Sequence, residues 1–125
     1  MNVPDELKYT SEHEWIRVEG DEIIVGVSDF AQGELGDVVF IEIETEGEQL
    51  AKGETFGTVE AVKTVSDMYM PVDGEIIAVN PALEDNPELV NSDPFGEGWM
   101  VRIRPSDPAQ IDELLDAAAY KALIG

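Results

Sequence analysis

A single lysine interrupts an apolar stretch near the middle of the chain. Small and β-branched residues dominate this stretch, which suits the pleated surface of paired strands, but Lys63 lies among them. The chain contains only four lysines against 28 acidic residues, so a lysine at this place calls for a reason. If the residues from about 57 to 70 form a hairpin, Lys63 lies at its tip, where loops expose functional groups. An ordinary solvated turn lysine is the alternative interpretation.

Two glycines flank this lysine at characteristic distances. Gly47 lies 16 residues before Lys63 and Gly74 lies 11 residues after it, and each begins a new strand-like run. This arrangement resembles the lipoyl- and biotinyl-carrier domains, in which a lysine at a hairpin tip carries its cofactor as an amide. Biotin carriers place methionines on both sides of that lysine. Here the neighbours are Val62 and Thr64, which favours lipoate.

Length and composition narrow the class of protein. A chain of 125 residues is expected to form one domain, residues 1–125, with a core that needs no covalent links. The absence of cysteine excludes disulfides, thiolate metal sites and cysteine nucleophiles. The first residues show neither a basic region nor an apolar stretch, and no run approaches the length that spans a bilayer. We therefore expect a cytoplasmic protein that does not enter membranes.

The formal net charge of −21 is the most unusual feature of the composition. It argues against binding to nucleic acid or to anionic membranes, because phosphates are met by lysine and arginine. It favours partners with basic surfaces. The same excess of acids is expected of a protein that works in concentrated salt, so a halophilic source and a generally acidic family are alternatives.

The periodicity predicts short strands with glycine turns, which indicates a mainly β barrel or sandwich. Strands are predicted at 15–18, 22–27, 37–46, in the hairpin, and at 75–79 and 99–104. A helix of two turns is predicted with Asp29 as its cap and Gly36 as its stop, and short helical turns are predicted within 80–91. The one clear helix spans about 107–120, where Asp107 caps, Pro108 suits the first turn and apolar residues recur at helical spacing.

Other residues with chemical potential have simpler explanations. His13 is the only histidine, and one histidine without cysteine does not make a typical zinc site, so no metal site is predicted. As a catalytic base His13 would need a nucleophile and an orienting acid, and a structural role is the preferred interpretation. Glutamates alternate with isoleucines over 41–46, which predicts a solvated strand face rather than a cation site.

Six blocks that run in one order along the chain extend the resemblance to a particular family, the glycine cleavage system H proteins. The blocks are Lys8-Tyr9 with His13-Glu14-Trp15; Val27-Ser28-Asp29, Ala31-Gln32 and Leu35-Gly36-Asp37-Val38-Val39; Thr58-Val59-Glu60-Ala61-Val62-Lys63; Val79-Asn80 with Leu83; Pro87 with Leu89-Val90-Asn91; and Gly98-Trp99-Met100. The resemblance implies a barrel-sandwich hybrid with lipoate attached to Lys63 as an amide and a C-terminal helix.

The resemblance also implies a carrier and not an enzyme. A pyridoxal-phosphate glycine decarboxylase (P protein) loads an aminomethyl group onto the lipoyl arm, an aminomethyltransferase (T protein) passes the carbon to tetrahydrofolate, and dihydrolipoamide dehydrogenase (L protein) reoxidises the dithiol. A lipoate-attaching enzyme is the fourth implied partner, and a monomer is expected. Tethering keeps the intermediate on one carrier while it visits several active sites.

Two acids are implied in holding the loaded arm. In the family this arm folds back into a cleft, and Glu14 and Asp67 occupy positions that would hold its amine by charge-assisted hydrogen bonds. Some relatives have serine where this chain has Glu12. That Glu14 and Asp67 are ordinary surface acids is the alternative.

Rival functions remain open at this point. They are a lipoate relay or another lipoyl or biotinyl carrier of the same fold, an unmodified binding protein, and a hydrolase built on His13 and Glu14, which the missing triad signature disfavours.

Overall fold

A computed structural model describes residues 2–125, which fold into two antiparallel sheets. The strands are β1 (Lys8–Tyr9), β2 (Glu14–Glu19), β3 (Glu22–Val27), β4 (Val38–Glu42), β5 (Gln49–Leu50), β6 (Thr55–Ala61), β7 (Val65–Tyr69), β8 (Gly74–Val79) and β9 (Val101–Pro105). The larger sheet has the order β1-β2-β3-β9-β8-β5, and the smaller sheet has the order β4-β6-β7. The prediction of a mainly β barrel-sandwich hybrid with short helical turns and a C-terminal helix is confirmed.

Helices occupy the connections and the C-terminus. They are α1 (Asp29–Leu35), α2 (Ala82–Asp85), α3 (Leu89–Ser92), a 3₁₀ helix (Pro108–Glu113) and α4 (Ala117–Ile124). None of the helices within residues 2–125 has the length and hydropathy needed to cross a membrane.

Alternation along β3 separates two apolar clusters. Ile23 and Val25 join the core between the two sheets, whereas Ile24 faces outward into a second cluster. Gly26 also lies on the outer face, where the indole of Trp15 covers it so closely that a Cβ there would lie 2.7 Å from the ring. Successive residues of a strand point to opposite faces, so one strand supports both clusters.

The outer cluster attaches the C-terminal helix to the larger sheet. Tyr120 of α4 stacks on Tyr9 with 4.6 Å between ring centroids, and Ala117 packs into the same cluster. Both tyrosine side chains are fully buried. The helix therefore closes one face of the sheet whose other face forms the main core.

The predicted single helix over about 107–120 is wrong in its extent. Asp107 caps as predicted, but a 3₁₀ helix ends at Glu113 and α4 begins only at Ala117. Between them Leu115 exchanges two backbone hydrogen bonds with Tyr9, at 2.8 and 2.9 Å, and so gives the edge strand β1 a partner. Asp116 then caps α4. Pairing with a distant strand overrides the local helical preference.

Three smaller predictions also need correction. The strand predicted over 37–46 ends at Glu42, although Ile43 still packs on the core. Ser28, not Asp29, caps α1, because its hydroxyl accepts a hydrogen bond from Ala31 N. The closing strand begins at Val101 and not at residue 99.

Candidate functional site

Lys63 lies in a tight loop that joins β6 to β7. Ala61 N donates a hydrogen bond to Thr64 O at 2.8 Å, which closes the loop below the lysine. Val62 N donates to Asp37 O at 3.0 Å, so the loop is also held to the segment that leads into β4. Lys63 is exposed and forms no ion pair within residues 2–125. Its amine is thus presented on a fixed backbone and is accessible to another molecule.

The aliphatic part of this lysine lies against Gly36, at the C-terminal end of α1. A Cβ at Gly36 would lie 3.3 Å from Lys63 Cε and 3.9 Å from Nζ. The backbone of Gly36 has a φ of 77°, which other residues rarely adopt. The glycine that the sequence identified as a helix stop therefore also makes room for the lysine side chain.

Asn91 of α3 holds this segment in place. Its Oδ1 accepts a hydrogen bond from Val38 N at 2.9 Å, and its Nδ2 donates to Gly36 O at 2.8 Å. The intervening Asp37 supplies the carbonyl that binds Val62 N. Asn91 is therefore a positioning residue for the loop of Lys63. The sequence offered no signal for this role beyond the family block that ends in Asn91.

A cavity of about 350 Å³ lies between α1 and β7 beside this loop. Its apolar lining includes Val27, Leu35 and Met68, and its polar lining residues are Glu12, His13, Glu34 and Ser66. Leu35 directly precedes Gly36, on which the lysine lies. An arm extended from Lys63 could therefore enter this cavity along the end of α1.

Glu14 is buried at the start of β2, with only 1% of its surface exposed. Its Oε2 accepts a hydrogen bond from Tyr69 N at 2.7 Å, and its Oε1 accepts one from the Thr10 hydroxyl at 3.2 Å. Burial raises the pKa of Glu14 to about 8, although both hydrogen bonds lower it. The alternative that Glu14 is an ordinary surface acid does not fit this environment.

Glu14 lines a second cavity, of about 410 Å³, together with Tyr69 and Lys52. Glu12 lines this cavity and also the one beside Lys63, so both cavities border the same exposed residue. The Glu12 position, at which serine is expected in some relatives, is thus part of the site.

Asp67 lies in a different environment. It is an exposed residue of β7, and its strand neighbours Ser66 and Met68 line the cavity beside Lys63. Alternation along the strand therefore directs the Asp67 side chain to the opposite face. Glu14 is hydrogen-bonded to β7 at Tyr69 N, whereas the Asp67 side chain does not point into the cavity beside Lys63.

His13 forms part of a network that the sequence did not reveal. Its Nδ1 lies 3.0 Å from the hydroxyl of Tyr120, and Ser28 Oγ lies 2.7 Å from the same hydroxyl. Burial raises the pKa of Tyr120, so the phenol stays neutral. His13 also has a φ of 68°, an uncommon backbone conformation that turns the chain between β1 and β2. These contacts agree with a structural role for His13.

Two packed sheets with an exposed lysine at a hairpin tip define a carrier domain of the lipoyl type. The model of the glycine cleavage H-protein family matches residues 7–125. The glycine cleavage system H proteins of Bacteroides fragilis and Bacteroides thetaiotaomicron are 59% and 60% identical over 124 residues, which covers 99% of this chain and 98% of each relative. A crystal structure of a glycine cleavage system H protein from Mycobacterium marinum matches with a TM-score of 0.89 and 38% identity, covering 98% of this chain and 99% of that one.

The chain therefore belongs to the glycine cleavage H-protein family. Members of this family carry lipoate on a lysine, and they serve the glycine cleavage system as carriers.

Proposed function

We propose that lipoate is attached to Lys63 as an amide, and that this carrier takes the aminomethyl group of glycine from the decarboxylase (P protein) to the aminomethyltransferase (T protein). Dihydrolipoamide dehydrogenase (L protein) then reoxidises the dithiol of the lipoyl arm. The observation that supports this most directly is the placement of Lys63, an exposed amine without an ion pair on a loop held by two backbone hydrogen bonds. The other three lysines, at 8, 52 and 121, do not lie at a hairpin tip.

The residues around Lys63 fit a lipoyl arm. The cavity between α1 and β7 offers an apolar lining for a hydrocarbon arm, and its polar lining residues are Glu12, His13, Glu34 and Ser66. When bound, lipoate supplies a disulfide that accepts the aminomethyl group and is later re-formed by oxidation. The lining of the cavity would keep water away from the loaded end of the arm.

Glu14 is proposed as the carboxylate that receives the terminal amine of the loaded arm. A protonated amine close to Glu14 would favour the ionised form of this acid, because an opposite charge stabilises a buried carboxylate. The hydrogen bonds from Tyr69 N and Thr10 would hold the carboxylate in place while the amine binds. Asp67, which points to the other face of β7, is retained in the proposal as a carboxylate that the amine meets outside the cavity.

The attachment is tested by intact mass and peptide fragmentation of the protein purified from its native source. The expected result is one lipoyl amide, located on Lys63, which is absent from a Lys63→Arg variant. Lys52→Arg is the matched control, because Lys52 is also exposed but pairs with Glu113 at 3.6 Å, and this variant should keep the modification. An unmodified Lys63 from cells with an active lipoylation pathway would refute the proposal.

A further inference from the structure

Exposed apolar side chains are concentrated at one end of the smaller sheet. Six large hydrophobic residues are exposed within residues 2–125. Four of them lie on or beside the strands that carry Lys63, namely Val39 (52%), Phe40 (48%), Val62 (75%) and Val65 (59%). We call these four residues the apolar platform. In a chain with a net charge of −21, such a concentration marks a surface that another molecule covers.

A β-bulge at Val39 creates half of this platform. Val38 pairs with Ala61 and Phe40 pairs with Glu60, so β4 advances by two residues while β6 advances by one. If β4 and β6 paired regularly from Val38 onward, Val39 would lie opposite Glu60, and Phe40 would lie opposite Val59 and face the core. A bulge re-aims side chains in this way, and here it turns two consecutive apolar residues of an edge strand toward solvent.

The charges around the platform have one sign. Strands β4, β6 and β7 contain no lysine or arginine, but they contain Glu42, Glu60 and Asp67. Phe40 also borders a groove of about 530 Å³ whose lining includes Glu44 and Glu84. Amidation would neutralise Lys63, the one cation of this surface. A partner that fits it presents apolar side chains with lysine or arginine at the rim.

An enzyme that forms a bond to Lys63 Nζ must contact the apolar platform. The lysine side chain lies on Gly36, three residues before Val39, and Val62 N is hydrogen-bonded to Asp37 O. An active site that encloses Nζ must therefore cover the start of β4. Enzymes that act on the far end of a long arm are under no such constraint.

We propose that the apolar platform docks the enzyme that attaches lipoate to Lys63. This inference rests on the proposed function, because it requires that Lys63 be the modified residue. The attachment consumes an activated lipoyl donor of the acyl-adenylate class. Nζ loses one proton and attacks the carbonyl carbon, a C–N bond forms, the C–O bond to the phosphate breaks with its electron pair leaving on AMP, and Nζ releases a second proton.

The test compares lipoylation rates of the unmodified full chain and its variants. The probe is the lipoate–protein ligase of the source organism, supplied with lipoate and ATP, and the readout is kcat/KM by mass spectrometry. The double variant Val39→Ser, Phe40→Ser should lose about tenfold in kcat/KM, through a higher KM, because two central apolar contacts are removed. Val18→Ser is the matched control, since Val18 is also 48% exposed but lies on β2 of the other sheet.

The salt dependence of lipoylation is a second readout. The wild-type kcat/KM should fall as KCl is raised, because rim charges act mainly on the association rate. Equal denaturation midpoints for the variants and the wild type establish that all of them are folded.

Three outcomes would overturn the docking proposal. A kcat/KM of the double variant equal to that of the wild type overturns the docking proposal and leaves the proposed function intact, since Lys63 is still modified. A loss of equal size in Val18→Ser also overturns it, because the effect would not be specific to the platform. If the ligase leaves Lys63 of the wild type unmodified, the proposed function fails and the docking proposal fails with it.

Discussion

Replacing Glu14 by glutamine should remove a pH dependence of stability that the folded protein owes to one buried carboxyl group. Glu14 is almost fully buried, and its two hydrogen-bond donors are the Tyr69 amide and the Thr10 hydroxyl. Glutamine has nearly the same shape and does not ionise. Its amide oxygen can accept the hydrogen bond from Tyr69 N, and its NH₂ group can donate to the Thr10 hydroxyl oxygen, as the protonated carboxyl group would. It therefore mimics the neutral form of Glu14.

The magnitude follows from the pKa. Burial raises the pKa of Glu14 from 4.5 to about 8, so the folded chain holds a proton that the unfolded chain releases between these two pH values. The free energy of unfolding that depends on Glu14 is therefore fully present below pH 4.5 and decreases as the pH rises toward 8. At about 1.4 kcal/mol for each tenfold change in proton concentration, the full loss is about 5 kcal/mol.

The assay is urea denaturation of both proteins at several pH values. Between about pH 5 and pH 9, the free energy of unfolding of Glu14→Gln should gain about 4 kcal/mol relative to the wild type. Other titrating groups are common to both proteins and cancel in this difference. Glu12→Gln is the matched control, because the exposed Glu12 is only the smallest of the four influences on the Glu14 pKa, so its loss should leave most of the pH dependence of the wild type in place. Parallel profiles for Glu14→Gln and the wild type would refute the reasoning.

Three further substitutions test the packing that positions the site. Gly26→Ala places a Cβ 2.7 Å from the indole of Trp15 and should lower the free energy of unfolding by about 2 kcal/mol. Gly33→Ala in α1 is the control, because a Cβ there meets open space, and it should raise the free energy of unfolding slightly. Denaturant unfolding measures both variants, and equal effects would contradict the packing of Trp15 on Gly26. Asn91→Ala leaves Val38 N without its acceptor and should cost about 2 kcal/mol in the same measurement; a loss below about 0.5 kcal/mol would show that Asn91 does not hold the loop of Lys63.

The hairpin around Lys63 was predictable because its signals are local. β-branched residues define β6, a three-residue loop follows, and glycines mark the neighbouring turns. Short apolar runs next to turn residues likewise located β2, β3 and β8 to within a residue or two. These elements depend on short-range conformational preferences, which can be read from the local sequence pattern.

The features that shape the site depend on distant contacts. Glu14 lies in a polar sequence, Glu12-His13-Glu14, which indicates an exposed turn, but in the fold it is buried and accepts a hydrogen bond from the Tyr69 amide of β7. The exposure of Phe40 requires the bulge at Val39, which is visible only in the register with β6. Leu115 leaves its helical pattern to pair with Tyr9, 106 residues away. No local pattern reports any of these pairings.

In the proposed function, the burial of Glu14 is unfavourable for the unloaded carrier and useful to the loaded one. A buried neutral carboxyl group interacts weakly with water. When an ammonium group binds next to it, the carboxyl group can lose its proton and form a charge-assisted pair with the ammonium group. The Tyr69 and Thr10 hydrogen bonds already stabilise the ionised form, so little rearrangement is needed when the pair forms. An exposed acid such as Asp67 would be solvated in both states and would distinguish them far less. A buried carboxyl group next to a cavity is therefore the better receiver for an amine that must be held and later released.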